Sequence, residues 1–161
     1  MNVIEKLQKN LQITHDAIKK VLDIYSDEDS MYQFYGEMNH ARWQTGHMIM
    51  SAYLILNIVG VDEKASPEYK KLFEGGSKIS SDVSLYPEFG KLKSELYALW
   101  DKIYVGLDKN TADDLDREVT LGEDWKTNRI EALLFLIAHD FYHLGQVVQA
   151  MRSLGKPRPF I

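Results

Sequence analysis

Residues 138–146 are Ala138-His139-Asp140-Phe141-Tyr142-His143-Leu144-Gly145-Gln146, and they lie in a segment whose apolar positions run from Ile130 to Leu154. Asn128 and Glu131, at the start of this run, have the spacing of a capping box, and Gly155 followed by two prolines ends it. Capping residues, an apolar run and a terminal glycine together are typical of an α-helix. The segment therefore predicts one long helix that begins after Asn128.

Three other segments show apolar side chains or helix boundaries that predict helices. They run from Ile4 to Leu22, from an N-cap at Asn39 to Val59, and from Phe89 to Leu107. Four helices without an internal repeat predict an all-α fold, a four-helix bundle formed by a single domain over residues 1–161. The loops differ widely in length, so the order of the helices around the bundle axis stays open.

The connections between these helices are uneven. Residues 61–87 form a long connection between helices two and three, with about one turn of helix around Glu68 to Phe73. Residues 31–38 fit neither a helix nor a loop clearly, and Thr111 to Asp114 predicts a short capped turn. We see no strand-like stretch before Trp125. Substrate selection would be encoded in residues 31–38 and 61–87, because long loops often carry function.

Composition limits the partners and the location of the protein. The chain has 161 residues, 45% of them hydrophobic and 27% charged, with a formal charge of −5. These values predict a globular protein without the basic patch that nucleic-acid binding requires. Residues 1–9 do not resemble a secretory signal, and the apolar run from Met48 to Val59 is too short to cross a bilayer. We therefore expect a cytoplasmic protein with no nucleic-acid or membrane partner.

Three histidines are the candidate metal ligands. His139 and His143 are four residues apart and lie on one helix face, while His47 lies in the apolar second helix. Neutral imidazole binds Zn, Ni or Fe, and three protein ligands leave coordination positions open for water or substrate. At such a site water could ionise near pH 7, and a thiol would bind as thiolate. The alternative is that each ring is a hydrogen-bonded core residue without a metal.

Other polar residues near these positions are weaker candidates for binding a metal or a ligand. Asp140 and Glu131 lie off the His139/His143 face, so we expect solvation or pairing instead of metal ligation. Gln146 is one turn beyond His143 and could orient a ligand or contact substrate, although a glutamine there is also a common hydrogen-bonding filler.

Two further histidines and several large side chains are expected to be structural. His15 lies on the apolar stripe of helix one and is interpreted as a core-edge residue, and His40 is interpreted as exposed or as a helix cap. Packing is also the expected role of Trp43, Tyr142 and the pair Met48 and Met50.

The second helix is apolar on nearly all sides, which predicts that more than one surface covers it. A second copy of the chain would provide such cover, so we expect a homodimer. The chain contains no cysteine, so disulfides and thiolate ligands are excluded. Any thiol chemistry must therefore use a small-molecule thiol.

Two motifs carry a resemblance to a known family. Trp43-Gln44-Thr45-Gly46-His47 gives Trp-x-x-Gly-His in helix two, and residues 139–146 give His-x-x-x-His-x-Gly-Gln in helix four. This pair of motifs resembles the DinB/YfiT-like superfamily. The resemblance implies a four-helix bundle, a homodimer and a divalent metal such as zinc or nickel on His47, His139 and His143. Some members of that superfamily are thiol transferases that use bacillithiol, mycothiol or glutathione.

Several functions are compatible with these residues. The first is a metal-dependent thiol S-transferase in stress or detoxification, in which a low-molecular-weight thiol is directed at an electrophilic small molecule. A variant is a metal-dependent hydrolase, for which the sequence identifies no general base. A non-catalytic module that binds a metal or small ligand is the second, and a purely structural protein without metal is the third.

Overall fold

The computed structural model describes residues 1–36, 38–122 and 124–160. Its helices are α1 (Val3–Leu22), α2 (Ala41–Ile58), α3 (Pro67–Phe73), α4 (Phe89–Asp108), α5 (Ala112–Leu115) and α6 (Arg129–Ser153). The four long helices α1, α2, α4 and α6 enclose the hydrophobic core. The predicted all-α bundle is confirmed, and each long helix begins and ends within two residues of its predicted bounds.

The helix starts follow local capping chemistry. Asn128 caps α6 as predicted, because its Oδ1 accepts the N–H of Glu131 at 2.9 Å. The reciprocal half of the predicted capping box is wrong, since the Glu131 carboxylate accepts from the Thr127 hydroxyl. The prediction of Asn39 as the cap of α2 is also wrong. His40 holds that position, and its Nδ1 accepts the N–H of Trp43 at 3.0 Å.

The apolar second helix is covered within one chain. α2 packs against α4, α6 and α3, so neighbouring helices of the same bundle bury most of its circumference. Gly46 permits the close approach of α3, because a Cβ at this position would lie 2.2 Å from Cδ1 of Phe73. The indole Nε1 of Trp43 donates to the carbonyl of Leu72 at 2.8 Å. These contacts fix α3 against the half of α2 that carries His47.

A short hairpin precedes α6. Strand β1 (Glu118–Leu121) pairs antiparallel with β2 (Trp125–Asn128), with Glu118 opposite Asn128. The expectation of no strand before Trp125 is therefore wrong. Each strand has only four residues, several of them poor strand formers, so the two-residue period is too short to recognise in the sequence. Gly122 follows β1 with a φ of 64°, a conformation that glycine adopts without strain.

The long connection after α2 contains regular structure. The predicted turn around Glu68 to Phe73 is α3, which is capped by the Ser66 side chain, and residues 83–85 form one turn of 3-10 helix. In the ambiguous segment 31–38, a 3-10 turn covers residues 34–36, while residue 37 lies outside the described residues. None of the helices in the described part of the chain combines the length and apolar character that crossing a bilayer requires.

Candidate metal centre

Three imidazole rings converge between α2 and α6. Nε2 of His139 lies 3.3 Å from Nε2 of His47 and 3.0 Å from Nε2 of His143. One nitrogen from each ring lies within 4.8 Å of the other two. The helical spacing that groups His139 with His143 is therefore borne out, and the bundle brings His47 to the same point.

The hydrogen bonds of the other ring nitrogens set the tautomers. Nδ1 of His47 lies 2.6 Å from the carbonyl oxygen of Phe73, and Nδ1 of His143 lies 2.5 Å from Oε1 of Gln44. Both oxygens only accept, so each Nδ1 carries the proton and donates it. Nε2 of both rings is then an unprotonated acceptor that faces the common centre. These two nitrogens offer their lone pairs to a metal ion at that centre.

The electrostatic surroundings keep the His47 and His143 rings neutral. Burial, together with the neighbouring His139 and His47 rings, lowers the pKa of His143 to about 3. Burial is also the main reason that the pKa of His47 lies below its usual value. Neutral imidazole is the form that binds a metal, so protons compete weakly for Nε2 of His47 and of His143 at neutral pH.

The nitrogen separations fit a bound transition metal. Zinc–nitrogen bonds of about 2.0–2.1 Å with angles of roughly 90–110° place two ligand nitrogens about 2.9–3.4 Å apart. The observed separations of 3.0 and 3.3 Å fall in this range. The three histidines could therefore hold a divalent metal ion without a large movement of either helix.

One side of the histidine cluster faces a cavity. This cavity has a volume of about 560 Å³ and is lined by His47 and His139 among other residues. The side chain of His139 is 25% exposed, whereas His143 is only 6% exposed and lies behind it. A small molecule could thus reach the His47 and His139 edge of the centre.

Gln44 is the site residue that sequence reasoning missed. It is fully buried, and its Nε2 donates to Oε1 of Gln146 at 2.5 Å while its own Oε1 accepts from His143. Gln146, the predicted ligand-orienting residue, is thereby joined to His143 through Gln44. A glutamine three residues before His47 in an apolar helix was the available signal, because a buried amide needs hydrogen-bond partners.

Asp140 supports the cluster from the side. Its carboxyl group is 2% exposed, and Oδ1 lies 3.4 Å from Nδ1 of His139. Burial raises the pKa of Asp140 above its usual value, while the adjacent His139 ring and the Ser51 hydroxyl act in the opposite direction. The predicted alternative of pairing is confirmed, and that of solvation is wrong.

The other histidines have structural surroundings. His40 is completely buried as the cap of α2, so its predicted capping role is confirmed and its predicted exposure is wrong. His15 is 3% exposed, stacks on Trp100 with ring centres 4.1 Å apart, and bonds to the hydroxyl of Tyr104 at 2.8 Å. Trp43 stacks on the His47 ring with centres 4.8 Å apart, in agreement with the predicted packing role.

Comparison with known proteins agrees with this fold. A crystal structure of a DinB-like protein from Bacillus cereus superposes with a TM-score of 0.73, at 19% identity, covering 98% of this chain and 96% of that one. A DinB-like protein from Bacillus subtilis gives a TM-score of 0.67 at 16% identity, with 94% of both chains covered. At such identities the likeness establishes the fold alone.

The sequence comparison covers most of the chain. No curated protein matches the sequence with significance. Residues 10–147 match the DinB superfamily and include all three clustered histidines. The chain therefore belongs to the DinB superfamily.

Proposed function

We propose that His47, His139 and His143 bind a divalent metal ion, zinc or nickel, and that the protein is a metal-dependent thiol S-transferase. The observation that carries this proposal is the convergence of three imidazole rings at the edge of an open cavity, with Nε2 of His139 lying 3.0 and 3.3 Å from Nε2 of His143 and His47. When bound, such an ion supplies Lewis acidity that favours the thiolate form of a thiol.

The reaction joins a small-molecule thiol to an electrophile. The thiolate sulfur forms a bond to an electrophilic carbon, and the leaving group departs with the electron pair of the bond that breaks. The chain lacks cysteine, so the sulfur must come from a low-molecular-weight cosubstrate. The chain itself contributes orientation: the Phe73 carbonyl and the Gln44 amide hold two of the three rings.

A hydrolase is the second candidate function, because the structure adds a carboxylate that the sequence did not single out. Glu74 lines the same cavity as His47 and His139, and it follows the residue whose carbonyl holds His47. An exposed carboxylate in this position could accept a proton from an attacking water molecule. Glu74→Gln would abolish a hydrolytic reaction but leave thiol transfer unaffected.

We also propose that the protein is a homodimer. Helix α2 is covered within one chain, so the support for this proposal comes from α6 instead. α6 carries an exposed apolar face formed by Leu134, Phe135, Phe141 and Tyr142, which are 42–65% exposed. Together these side chains present roughly 400 Å² of apolar surface, about half of what one partner contributes to a standard interface. Phe135 also lines the cavity, so a second copy on this face would narrow the route to the histidines.

Metal content of the purified protein tests the proposed centre. We expect one divalent ion per chain in the wild type and a loss of most of it in His47→Ala, His139→Ala and His143→Ala. His15→Ala is the matched control, because this histidine is also buried but lies outside the cluster. Equal metal content in all four variants would refute the centre.

Activity is measured with a panel of thiols and an electrophilic reporter. The metal-loaded wild type should consume thiol and reporter in equal amounts, and the three cluster variants should not. A protein that binds metal but shows no turnover with any thiol would instead be a binding module. The cytoplasmic location and the absence of nucleic-acid partners stay predictions.

A further inference from the structure

The cavity beside the histidines is elongated. Its lining on α2 extends from His47 to Asn57, and ten residues of helix span about 15 Å. α3 forms another side and runs in the opposite direction, because Phe73 packs on Gly46 whereas Tyr69 shares the carboxylate of Glu95 with Tyr53. The cavity therefore has a histidine end and a distant end.

The lining between the two ends is mainly apolar. Met50 and Leu54 from α2 face Phe135 and Leu136 from α6 across it. Leu54 and Phe135 are each about half exposed at 50% and 49%, so they have apolar surface left to cover. An alkyl or aryl group that covers this surface raises the affinity of a ligand about fourfold for each buried methylene. The surface offers little to a strongly polar molecule.

Charged side chains are separated along the cavity. Glu74 lies at the histidine end, next to Gly75, where a Cβ would lie 4.0 Å from Cε1 of His47. Lys70 lies one helical turn before Glu74, and Lys64 follows the end of α2. Among the described residues, the ion pair that Lys64 forms is with the exposed Asp62 at 3.7 Å, and 76% of the Lys64 side chain is exposed. An exposed pair of this kind is weak and leaves the ammonium group available to a ligand.

We infer that the cavity binds a molecule with an apolar body and a terminal carboxylate. This inference rests on the proposed function, because the reactive group of the molecule would lie at His47 and His139. Its body covers the apolar lining, and its carboxylate reaches the ammonium groups of Lys64 and Lys70. An extended body of eight carbon atoms covers about 9 Å, since tetrahedral carbon–carbon bonds of about 1.5 Å advance about 1.25 Å each. The long, flexible side chains of Lys64 and Lys70 extend from the distant part of the cavity over the remaining distance.

The apolar body and terminal carboxylate could belong to either reactant, the thiol or the electrophile. A carboxylate-ended thiol would place its sulfur at the histidines, and a carboxylate-ended electrophile would fill the cavity beside a separate thiol. Both need the apolar lining and the two lysines, so the first experiment tests that shared requirement and the second distinguishes the sources.

The first experiment uses the full-length protein loaded with Co²⁺, because a thiol that binds cobalt produces a charge-transfer band. Affinities are measured for 8-mercaptooctanoate and 8-mercaptooctan-1-ol, which differ only in the terminal carboxylate. We expect the acid to bind about fivefold more tightly at low ionic strength, and the double variant Lys64→Gln/Lys70→Gln to remove this preference. Lys71→Gln, an exposed lysine on the same helix that does not line the cavity, should retain it.

The second experiment uses octanoate, which has no thiol and needs no metal. Its binding is followed by NMR, with and without Co²⁺ and 2-mercaptoethanol. Octanoate that binds beside 2-mercaptoethanol assigns the carboxylate to the electrophile, and mutual displacement assigns it to the thiol.

The outcomes separate this inference from the proposed function. Equal affinities of the acid and the alcohol in the wild type, or an equal loss of preference in Lys71→Gln, would overturn the carboxylate site. Failure to bind Co²⁺ would overturn the metal centre, and binding of octanoate to the metal-free protein would still support the carboxylate site. If the protein binds neither Co²⁺ nor octanoate, both the metal centre and the carboxylate site are overturned.

Discussion

Oε1 of Gln44 on α2 lies 2.5 Å from Nδ1 of His143 on α6, so an amide on one helix fixes the ring of a histidine on another. The Gln44 amide also donates to Gln146, and this second hydrogen bond restrains the rotation of the Gln44 side chain. The orientation of the most buried ring of the cluster thus depends on a residue that cannot itself reach the metal position.

Gln44→Leu should therefore weaken metal binding without removing a ligand. The substitution leaves Nδ1–H of His143 without an acceptor, and loss of such an outer partner lowers metal affinity by about 10- to 100-fold. Competition with a chromophoric chelator measures the affinity. Gln12→Leu, at an exposed glutamine on α1, is the control and should bind metal like the wild type. Unchanged affinity in Gln44→Leu would mean that packing alone orients His143.

Gly46 should be intolerant of even a methyl group. In Gly46→Ala the new Cβ would lie 2.2 Å from the ring of Phe73, which is buried and cannot move freely. We expect a loss of about 1–3 kcal/mol in the free energy of unfolding, as for other overpacked cores. Because the carbonyl of Phe73 holds His47, metal affinity should fall as well.

The control for this variant is Gly90→Ala. Gly90 is also in a helix, but among the described residues a Cβ there would have no neighbour within 4 Å. Its free energy of unfolding should stay the same or rise by up to about 1 kcal/mol, since alanine favours the helix. Denaturant titration compares the two variants, and equal stability would show that α3 adjusts to the added methyl group.

The sequence predicted the parts of the molecule that repeat along a helix. The period of apolar positions located the four long helices, and the spacing of His139 and His143 placed two rings on one face. What it could not supply were partners from distant segments. Gln44 meets His143 over 99 positions of sequence, and His40 replaced Asn39 as a cap because its ring nitrogen reaches the N–H of Trp43. The contact of Gln44 with His143 depends on packing, which no local pattern encodes. The cap at His40 is local, but histidine is not among the residues that usually cap a helix.

The buried His15 should make stability depend on pH. Burial lowers its pKa from 6.5 to about 3, so between these values the unfolded chain binds a proton that the folded protein does not. The free energy of unfolding therefore falls as the pH falls, by about 1.4 kcal/mol per pH unit for one such group. His15→Phe retains an aromatic ring against Trp100 but cannot titrate, so its stability should depend less steeply on pH between 4 and 6 by about this amount.

Tyr104→Phe separates titration from the loss of a hydrogen bond. It removes the hydroxyl that bonds to His15 but leaves the ring of His15 buried. This variant should be less stable by about 1 kcal/mol at every pH while keeping the wild-type slope. Urea titrations of the metal-free proteins across this pH range provide the comparison. A slope in His15→Phe equal to that of the wild type would assign the pH dependence to other groups.

The exposed face of α6 should control the oligomeric state. Phe141 and Tyr142 are 42% and 65% exposed, and their replacement in Phe141→Ser/Tyr142→Ser removes much of the apolar surface available for a second copy. We expect the wild type to sediment as a dimer and the double variant to dissociate at least about tenfold more readily, since aromatic side chains dominate interface energies. Ile13→Ser is the control, because Ile13 is 54% exposed and lies on a different helix, α1. A monomeric wild type would refute the dimer, and a dimer that both variants leave intact would place its interface elsewhere.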